Sequence, residues 1–443
     1  MKEDIVDVLV VGAGPTGLAM AAEALRHNLT CRIVERKTHR SMNQSKALVI
    51  HARTMEQLHA MGDSQNCRGR VTNRLCEVGT KFRSLRAYIE GTDGRAHERV
   101  HEFREEDEFW GDTDFPFWLV VPQYRTEKIL EGELELMGGQ VEWSSEITSI
   151  EHCTGFHTAH IVKNGSCNND QDDDKVDTIM CRWIVGCDGK RSITREHANL
   201  ILEEETNDGP DDCFLADVEL GTAKAKQFFQ SDVGHIILHP DGAMAILPVG
   251  ENNLFRVMAH DTSTAKSAIK LTEIDKKFID DCVRGRTGVD IDSQRIAWAS
   301  NWKNTHGITN QYHNGEGIFV AGDAAHVHSP LGGQGTTFGL QDATNLAWKL
   351  AWIKRIIDKA KIELNEPSIG AIIESYNAER RGAAVTMING NTSGTMVVTS
   401  SNAMIGWIRN AIFKNVFRGK WSRKIVSNTV PMINLQYESS PII

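Results

Sequence analysis

Three glycines and one acid stand at a spacing that could hold a phosphorylated ligand. Gly12, Gly14 and Gly17 lie in the segment GAGPTG, with Pro15 and Thr16 between them, and Glu35 follows 23 residues after Gly12. Gly12 permits a tight turn, Gly14 lets a pyrophosphate approach the backbone, and Gly17 permits close packing of helix on strand. Backbone N–H groups at a helix N-terminus attract phosphate, and a carboxylate at the end of the next strand can accept ribose hydroxyls. Together these residues point to an adenine dinucleotide. An acid at Glu35 would repel a 2′-phosphate, which leaves NAD or FAD rather than NADP at this site.

Two more carboxylates occur far downstream. Asp188, followed by Gly189, lies in WIVGCDGKRSITR (Trp183–Arg195), and Asp323 lies in GEGIFVAGDAAHVHSPLGGQGTTFGL (Gly315–Leu340). An Asp at the C-terminal end of a parallel strand points into the crevice where ligands bind, and could accept a ribityl hydroxyl. The turn Gly332–Gly335 presents N–H groups at the start of a helix, a place that stabilises negative charge. A flavin needs such a place near its N1–C2 carbonyl edge. His326 and His328 follow the Asp323 motif; structural or flavin-orienting roles suit them better than metal ligation, since no third ligand is apparent.

These residues need elements to position them. Asp7–Val11 (DVLVV) is a short apolar β-branched run, expected as a buried parallel strand. A helical stretch, LAMAAEALRHN, follows the glycines, and Cys31–Glu35 is the next strand. Ile318–Ala321 is a strand running into Gly322-Asp323. Ala343–Ala360 places Leu346, Leu350, Ile353 and Ile357 on one face of an amphipathic helix. Four runs read as strands: Cys213–Leu220, Gly234–Pro240, Gly242–Val249 and Leu254–His260, with a hairpin turn at HPDG (His239–Gly242). They predict an antiparallel sheet forming one wall of a substrate pocket.

The trio GAGPTG, GCDGKRS and GDAAHVHSPLGGQG, in this order, resembles the single-component FAD-dependent aromatic hydroxylases. The family is the p-hydroxybenzoate hydroxylase-like one, near its phenol and polyketide hydroxylase branch. SKALVIHARTMEQL (Ser45–Leu58), VPQYRTEKIL with Gln123, SYNAERRGAA (Ser375–Ala384) and the segment LQYESSPII extend the resemblance over nearly the whole chain. It implies that Gly12, Gly14, Pro15, Thr16, Gly17, Glu35 and Arg36 serve the adenosine diphosphate half of FAD. Lys46, Ala47, Arg53 and Gln123 would lie near its pyrophosphate or ribityl chain. Asp188, Gly189 and Arg195 would serve both FAD and NAD(P)H. Asp323 would hold the ribityl chain; Pro330, Gly332, Gly333, Gln334, Gly335 and Thr336 would flank the isoalloxazine ring.

The implied activity is hydroxylation of a phenolic or polyketide-like aromatic molecule, as in secondary metabolism. NADPH or NADH reduces FAD, and O2 reacts through a flavin C4a-hydroperoxide. The cofactor carries the hard chemistry, while the protein orients the substrate, excludes water and helps ionise a phenol. His51 is the candidate general base, because histidine exchanges protons near neutral pH, and Tyr124 is a weaker one. The sequence departs from the family where Thr336-Thr337 replaces a Met-Asn pair, where Leu48 replaces an acid, and where Gly307 replaces an Arg. Epoxidising or Baeyer–Villiger-type oxygenation, and a non-oxygenase FAD-binding protein, are the alternatives. A separate NADPH fold would need a second GxGxxG after a strand, which the sequence lacks.

Composition bounds these readings. The 443 residues give room for about two to three domains. The fold class expected is α/β: a discontinuous Rossmann-like FAD-binding domain (1–75, 120–200, 308–360), an inserted antiparallel-sheet substrate domain (76–119, 201–307) and C-terminal helices (361–443). A net charge of −10 disfavours nucleic acid as a partner. Nine cysteines without a CxxC indicate a reducing compartment, and no segment reads as a signal peptide or an integral membrane span, so a cytoplasmic monomer or homodimer is expected. Asn164–Asp177 (NGSCNNDQDDDKVD) reads as an exposed loop. Arg409–Lys424 is basic with interleaved aromatics; it could touch a membrane or a dimer partner, but a helical cap with a solvated basic face is the expectation taken.

Overall fold

The computed structural model describes residues 5–41, 47–61, 68–82, 84–89, 98–104, 112–163, 176–205, 212–250, 253–260, 274–303, 305–328, 331–360, 366–399, 402–415, 432–433, 435–437 and 439–442. Residues 164–175, most of the acidic loop read from the sequence, lie outside this set, as do 416–424, Lys46 and Pro330.

The strand Val6–Val11 lies inside the first sheet, with Val8, Leu9 and Val10 fully buried. It runs parallel to Cys31–Val34 on one side and to Val176–Gly186 on the other. A strand covered on both faces tolerates no polar alternation, which explains the unbroken apolar run. Val141–Glu142 adds a further parallel strand beyond Cys31–Val34, and Ile318–Val320 pairs in parallel with Ile184–Gly186. The long strand Val176–Gly186 also carries an antiparallel hairpin, Ser145–Cys153 with Phe156–Lys163, on its N-terminal half. The sheet thus brings the ends of Val6–Val11, Val176–Gly186 and Ile318–Val320 to one edge, where the three glycine- and Asp-bearing motifs begin. Helices Pro15–Arg26 and Gly335–Ala360 pack together on this sheet, and buried side chains of both join one apolar cluster.

A second sheet has seven strands in the order Arg295–Lys303, Asp212–Glu219, Leu254–His260, Met244–Pro248, Val233–Leu238, Ser84–Ile89 and Glu98–Arg104. The sequence predicts an antiparallel sheet, and all neighbours are antiparallel except one: Val233–Leu238 runs parallel to Ser84–Ile89. That pair is brought together from segments far apart in the chain, so no hairpin dictates its direction. One face of the sheet packs Phe214, Val218, Met244, Phe255 and Val257 against Ile279 and Val283 of helix Lys276–Thr287. The other face sends Leu85 and Leu247 toward Leu48, Val49, Phe82 and Trp118.

The C-terminal part is helical. Pro367–Tyr376 continues through one π-helical turn, Asn377–Arg381, into Gly382–Thr399. A π-turn inserts an extra residue and turns its side chains off the ordinary helical face; here Glu379 and Arg380 are buried. Of the basic segment Arg409–Lys424 only residues 409–415 are described: there Arg409 is buried and Lys414 half-buried, while Met404, Trp407 and Ile408 of helix Ala403–Asn415 are exposed. Contacts with the rest of the chain decide which face of a helix turns inward, and composition alone does not.

Candidate cofactor and active site

The glycine turn is built as its spacing demands. Gly12 has φ +100°, and a Cβ there would meet the Cys187 carbonyl oxygen at 2.6 Å. A Cβ on Gly17 would stand 1.8 Å from the Gly12 carbonyl oxygen, whereas one on Gly14 would meet nothing within 4 Å. So two of the glycines close the turn onto the sheet, and the third leaves its backbone open toward the mouth of the helix. Gly14 is the N-cap of Pro15–Arg26, and no side chain caps that end. Orphan N–H groups in an uncapped, open first turn suit a phosphate.

Glu35 closes the other side. Its carboxylate accepts from the backbone N–H of Ala13 at 2.8 Å and of Lys37 at 3.1 Å. A cleft of about 230 Å³ opens here, bounded by Gly14, Glu35, Lys37, Arg40, Gln123 and Trp143 among others. Arg40 is anchored to Glu127 and Glu131 at 2.6 Å each, and its guanidinium lies 5.6 Å from the Trp143 ring centre. Gln123 accepts from Ala47 N–H at 3.2 Å and donates to Glu127 at 2.8 Å, tying the helix start to the chain beyond the first motif.

The second and third motifs are tied to each other. One Asp188 carboxylate oxygen accepts from the backbone N–H and the hydroxyl of Thr194, both at 3.1 Å. Its other oxygen is buried and has no partner among the described residues. Arg195 is buried and donates to the carbonyls of Ala324 at 3.0 Å and Lys190 at 2.8 Å. Its guanidinium therefore fastens one motif to the other. Thr16 touches the third motif as well: added Cβ atoms on Gly322 and Gly339 would lie 2.6 and 2.2 Å from its hydroxyl.

Behind the Gly322-Asp323 turn lies a buried polar network. Asp342 accepts from Gly322 N–H at 3.0 Å and from His326 Nε2 at 2.7 Å. Its other oxygen accepts from Arg380 Nε at 2.7 Å. Burial pushes the Asp342 carboxyl up, but Arg380 and His326 together outweigh it and hold the group below the usual range. Arg380 also donates to the Tyr437 hydroxyl at 3.0 Å and the Phe338 carbonyl at 3.2 Å. Ser440 donates to Glu379 at 2.7 Å. The turn that carries Asp323 is thus braced by residues from the end of the described chain, while Asp323 itself is exposed at the crevice.

Gly332 and Gly333 have φ of +81° and +64°, and helix Gly335–Ala360 begins just after them. His51 Nε2 donates to the Gly332 carbonyl at 2.8 Å. Its ring is fully buried and meets Trp118 edge-on at 5.4 Å. Burial drives the His51 pKa down to about 4, against a smaller opposing effect of the Gly332 contact, so the imidazole is neutral near pH 7. Val49 lies 3.1 Å from the place a Gly333 Cβ would take. Through Val49 and Trp118 the glycine loop borders the apolar cluster of Leu48, Phe82, Leu85 and Leu247 that covers the second sheet.

These features fit FAD. The open first turn at Gly14, the carboxylate cleft at Glu35, the half-satisfied Asp188 and the left-handed loop before a 26-residue helix are each a complement to one part of that molecule. The family model described as "FAD binding domain" matches residues 5–390. The chain belongs to this FAD-binding family.

Within it, the chain is 29% identical over 401 residues to the 6-methylpretetramide 4-monooxygenase of Streptomyces rimosus, covering 90% of this chain and 63% of that protein. It is 29% identical over 389 residues to the pentachlorophenol 4-monooxygenase of Sphingobium chlorophenolicum, covering 86% and 63%. The chain therefore spans 63% of the length of each of these two relatives. The solved p-nitrophenol 4-monooxygenase of Pseudomonas putida superposes with a TM-score of 0.79 at 17% identity, covering 98% of this chain and 99% of that one. That likeness establishes the fold: mixed α/β, with the FAD-binding domain that the sequence motifs imply.

Of the residues named from the sequence, Gly14, Glu35 and Gln123 line the cleft, and Ala47 is hydrogen-bonded to Gln123; Asp188 and Asp323 follow the ends of two parallel strands, and Gly332 to Thr336 form the loop and first turn of the long helix. Arg36 is exposed between Glu35 and Lys37, which both line the cleft. Arg53 pairs with Glu56 at 2.6 Å and donates to the Ile433 carbonyl at 2.7 Å. Tyr124 accepts from Arg125. The residues that sequence reasoning missed are Asp342, Glu379, Tyr437 and Ser440. Arg380 lies in SYNAERRGAA and Tyr437 in LQYESSPII, so both segments carried a signal, but nothing in the sequence pairs them.

Proposed function

We propose that the chain is an FAD-dependent monooxygenase that uses NADPH or NADH and O2 to hydroxylate a phenolic or polyketide-like aromatic molecule. The observation that carries this reading is the junction of the glycine loop with an apolar cluster. Gly332–Gly333 and the start of a long helix offer backbone N–H groups, and Val49, Trp118, Phe82 and Leu247 form a dry wall beside them. An aromatic ring needs such a wall, and reactive oxygen chemistry needs water kept out.

Bound FAD supplies the redox chemistry: two electrons from NAD(P)H and activation of O2 for insertion into an electron-rich ring. The protein's residues do the rest. Glu35 holds the ribose hydroxyls, and the first turn of Pro15–Arg26 holds the pyrophosphate. Asp188 and Asp323 hold the chain that joins pyrophosphate to ring. The N-terminus of Gly335–Ala360 would stabilise negative charge on the flavin. His51, neutral and donating to the Gly332 carbonyl, sets the position of the glycine loop, which is a different task from the general base the sequence suggests. The resemblance of the chain to two relatives named as monooxygenases supports the same reading. The described cysteines, Cys31, Cys76, Cys153, Cys181, Cys187, Cys213 and Cys282, are free thiols, which supports a reducing, cytoplasmic setting. Among the described residues no helix is long and apolar enough to cross a membrane.

The test begins with an absorbance spectrum of the purified protein. It continues with NADPH and NADH oxidation in air across a panel of phenols and aromatic polyketides, using labelled O2. A bound flavin, substrate-stimulated oxidation and one labelled oxygen in the product are expected. Bound flavin that never turns over would sink the monooxygenase reading and favour a non-oxygenase flavoprotein.

A further inference from the structure

We propose that the cleft between the C-terminal ends of helices Pro15–Arg26 and Gly335–Ala360 is a second small-molecule site, one that takes a planar aromatic carboxylate. The cleft has a volume of about 610 Å³ and is bounded by His27, Trp348, Trp352, Arg355, Ile356 and Lys359 among others. That volume lies in the range of pockets that hold a small organic ligand. The residues from the long helix recur at the spacing of a single helical face. Trp348 and Trp352 meet with ring centres 5.9 Å apart and planes at 58°, so they form a corner rather than a stack. Such a corner offers a flat ring one face to lie on and one edge to meet. Trp352 is 55% exposed, so the corner opens to solvent. It lies 17 residues along the helix from Gly335, a distance of about 26 Å at about 1.5 Å per residue. A ligand there is out of reach of the glycine loop, and the site does not rest on the reading given above.

Charge decides the class of ligand. Arg355 and Lys359 are exposed at the cleft, and neither makes a hydrogen bond or an ion pair among the described residues. Among the described residues no Asp or Glu lines the cleft. Acids of the adjoining segments are already paired: Glu23 with Arg26, Asp358 with Arg182 and Asp7 with Lys354. Burial, and then the charges of Arg26 and Arg355, lower the His27 pKa to about 4, so that ring is neutral near pH 7. Each helix end contributes about half a negative charge, which the two full cations outweigh. The cleft is therefore positive in a chain whose net charge is −10. A guanidinium grips a carboxylate through two parallel N–H bonds, and the tryptophan corner takes the ring that carries it. An uncharged aromatic would use the corner alone.

The experiment is isothermal titration of the full, FAD-loaded chain with 2-naphthoate and with 2-naphthalenemethanol, its uncharged analogue. The carboxylate is expected to bind with a Kd on the order of 0.1 mM, as its size allows, and the alcohol about tenfold more weakly. Trp352→Ala is expected to weaken 2-naphthoate about tenfold, and Arg355→Glu about fivefold. Both positions are exposed, and FAD content with the melting temperature checks that each variant folds. Trp407→Ala, at another exposed tryptophan, serves as a matched control and keeps full affinity. Added salt is expected to weaken the carboxylate and leave the alcohol unchanged. Absence of saturable binding at millimolar 2-naphthoate overturns the proposal, as does equal affinity for the alcohol. So does binding left unchanged by both cleft variants, which assigns the ligand to the apolar wall beside the glycine loop.

Discussion

At Gly17 the fold leaves no room for a methyl group, because the Gly12 carbonyl oxygen already stands 1.8 Å from where it would go. Backbone cannot move aside as a flexible side chain can. Gly17→Ala is therefore expected to cost about 3 kcal/mol of stability and to open the turn proposed to receive the pyrophosphate. At Glu35 the argument concerns charge. The carboxylate is held by two backbone N–H groups and faces the cleft. Glu35→Lys replaces an acceptor with a cation and should strip FAD from the purified protein. Flavin-to-protein absorbance ratios check both variants, and full flavin content in Glu35→Lys would overturn the assignment of that cleft. Both positions were legible in the sequence, since the turn at Gly17 and the place of Glu35 after the second strand follow from a local spacing of strand, turn, helix and strand.

Among elements, the turn at Gly322-Asp323 depends on a segment more than a hundred residues away. Asp342 holds the turn, Arg380 holds Asp342, and Tyr437 accepts from Arg380. The π-turn Asn377–Arg381 is what aims Glu379 and Arg380 inward together. Tyr437→Phe leaves one guanidinium donor unmatched in a buried site, which is expected to cost about 2 kcal/mol. The variant should unfold at lower temperature and lose FAD faster on dialysis than the wild type. Unchanged flavin retention together with an unchanged melting temperature would show that the tail does not brace the turn. Sequence reading found both segments as family-like stretches but could not join them, because a contact between distant segments leaves no local periodicity.

For the molecule as a whole, several histidines are folded away from water and kept neutral. Burial lowers His51 and His260 to about 4 and His235 to about 3, from an ordinary value near 6.5. The unfolded chain takes up protons at these positions below pH 6.5, and the folded chain does not until about pH 4. The unfolded state then binds more protons, so stability is full above pH 6.5 and falls as pH drops toward 4. One such group accounts for on the order of 3 kcal/mol across that window. Urea unfolding midpoints measured from pH 7 to pH 4.5 should fall steadily; a flat profile would show that these sites hydrate. The sequence lists seventeen histidines without distinguishing these three, because their neutrality comes from neighbours on other elements. Tyr88, Phe228 and Phe229 surround His235, for example.

By itself the sequence determined the parts that rest on local geometry: the glycine turn, the acid at the end of the second strand, the Asp-bearing strand ends and the α/β alternation between them. Each is fixed by neighbours within a few dozen residues, so spacing is enough to read it. Tertiary structure decided the rest. It buried His51 against the Gly332 carbonyl, set Ser84–Ile89 parallel to Val233–Leu238, joined Tyr437 to Arg380, and put Trp407 outside with Arg409 inside. Burial and long-range pairing are properties of the packed chain, and the order of residues does not state them.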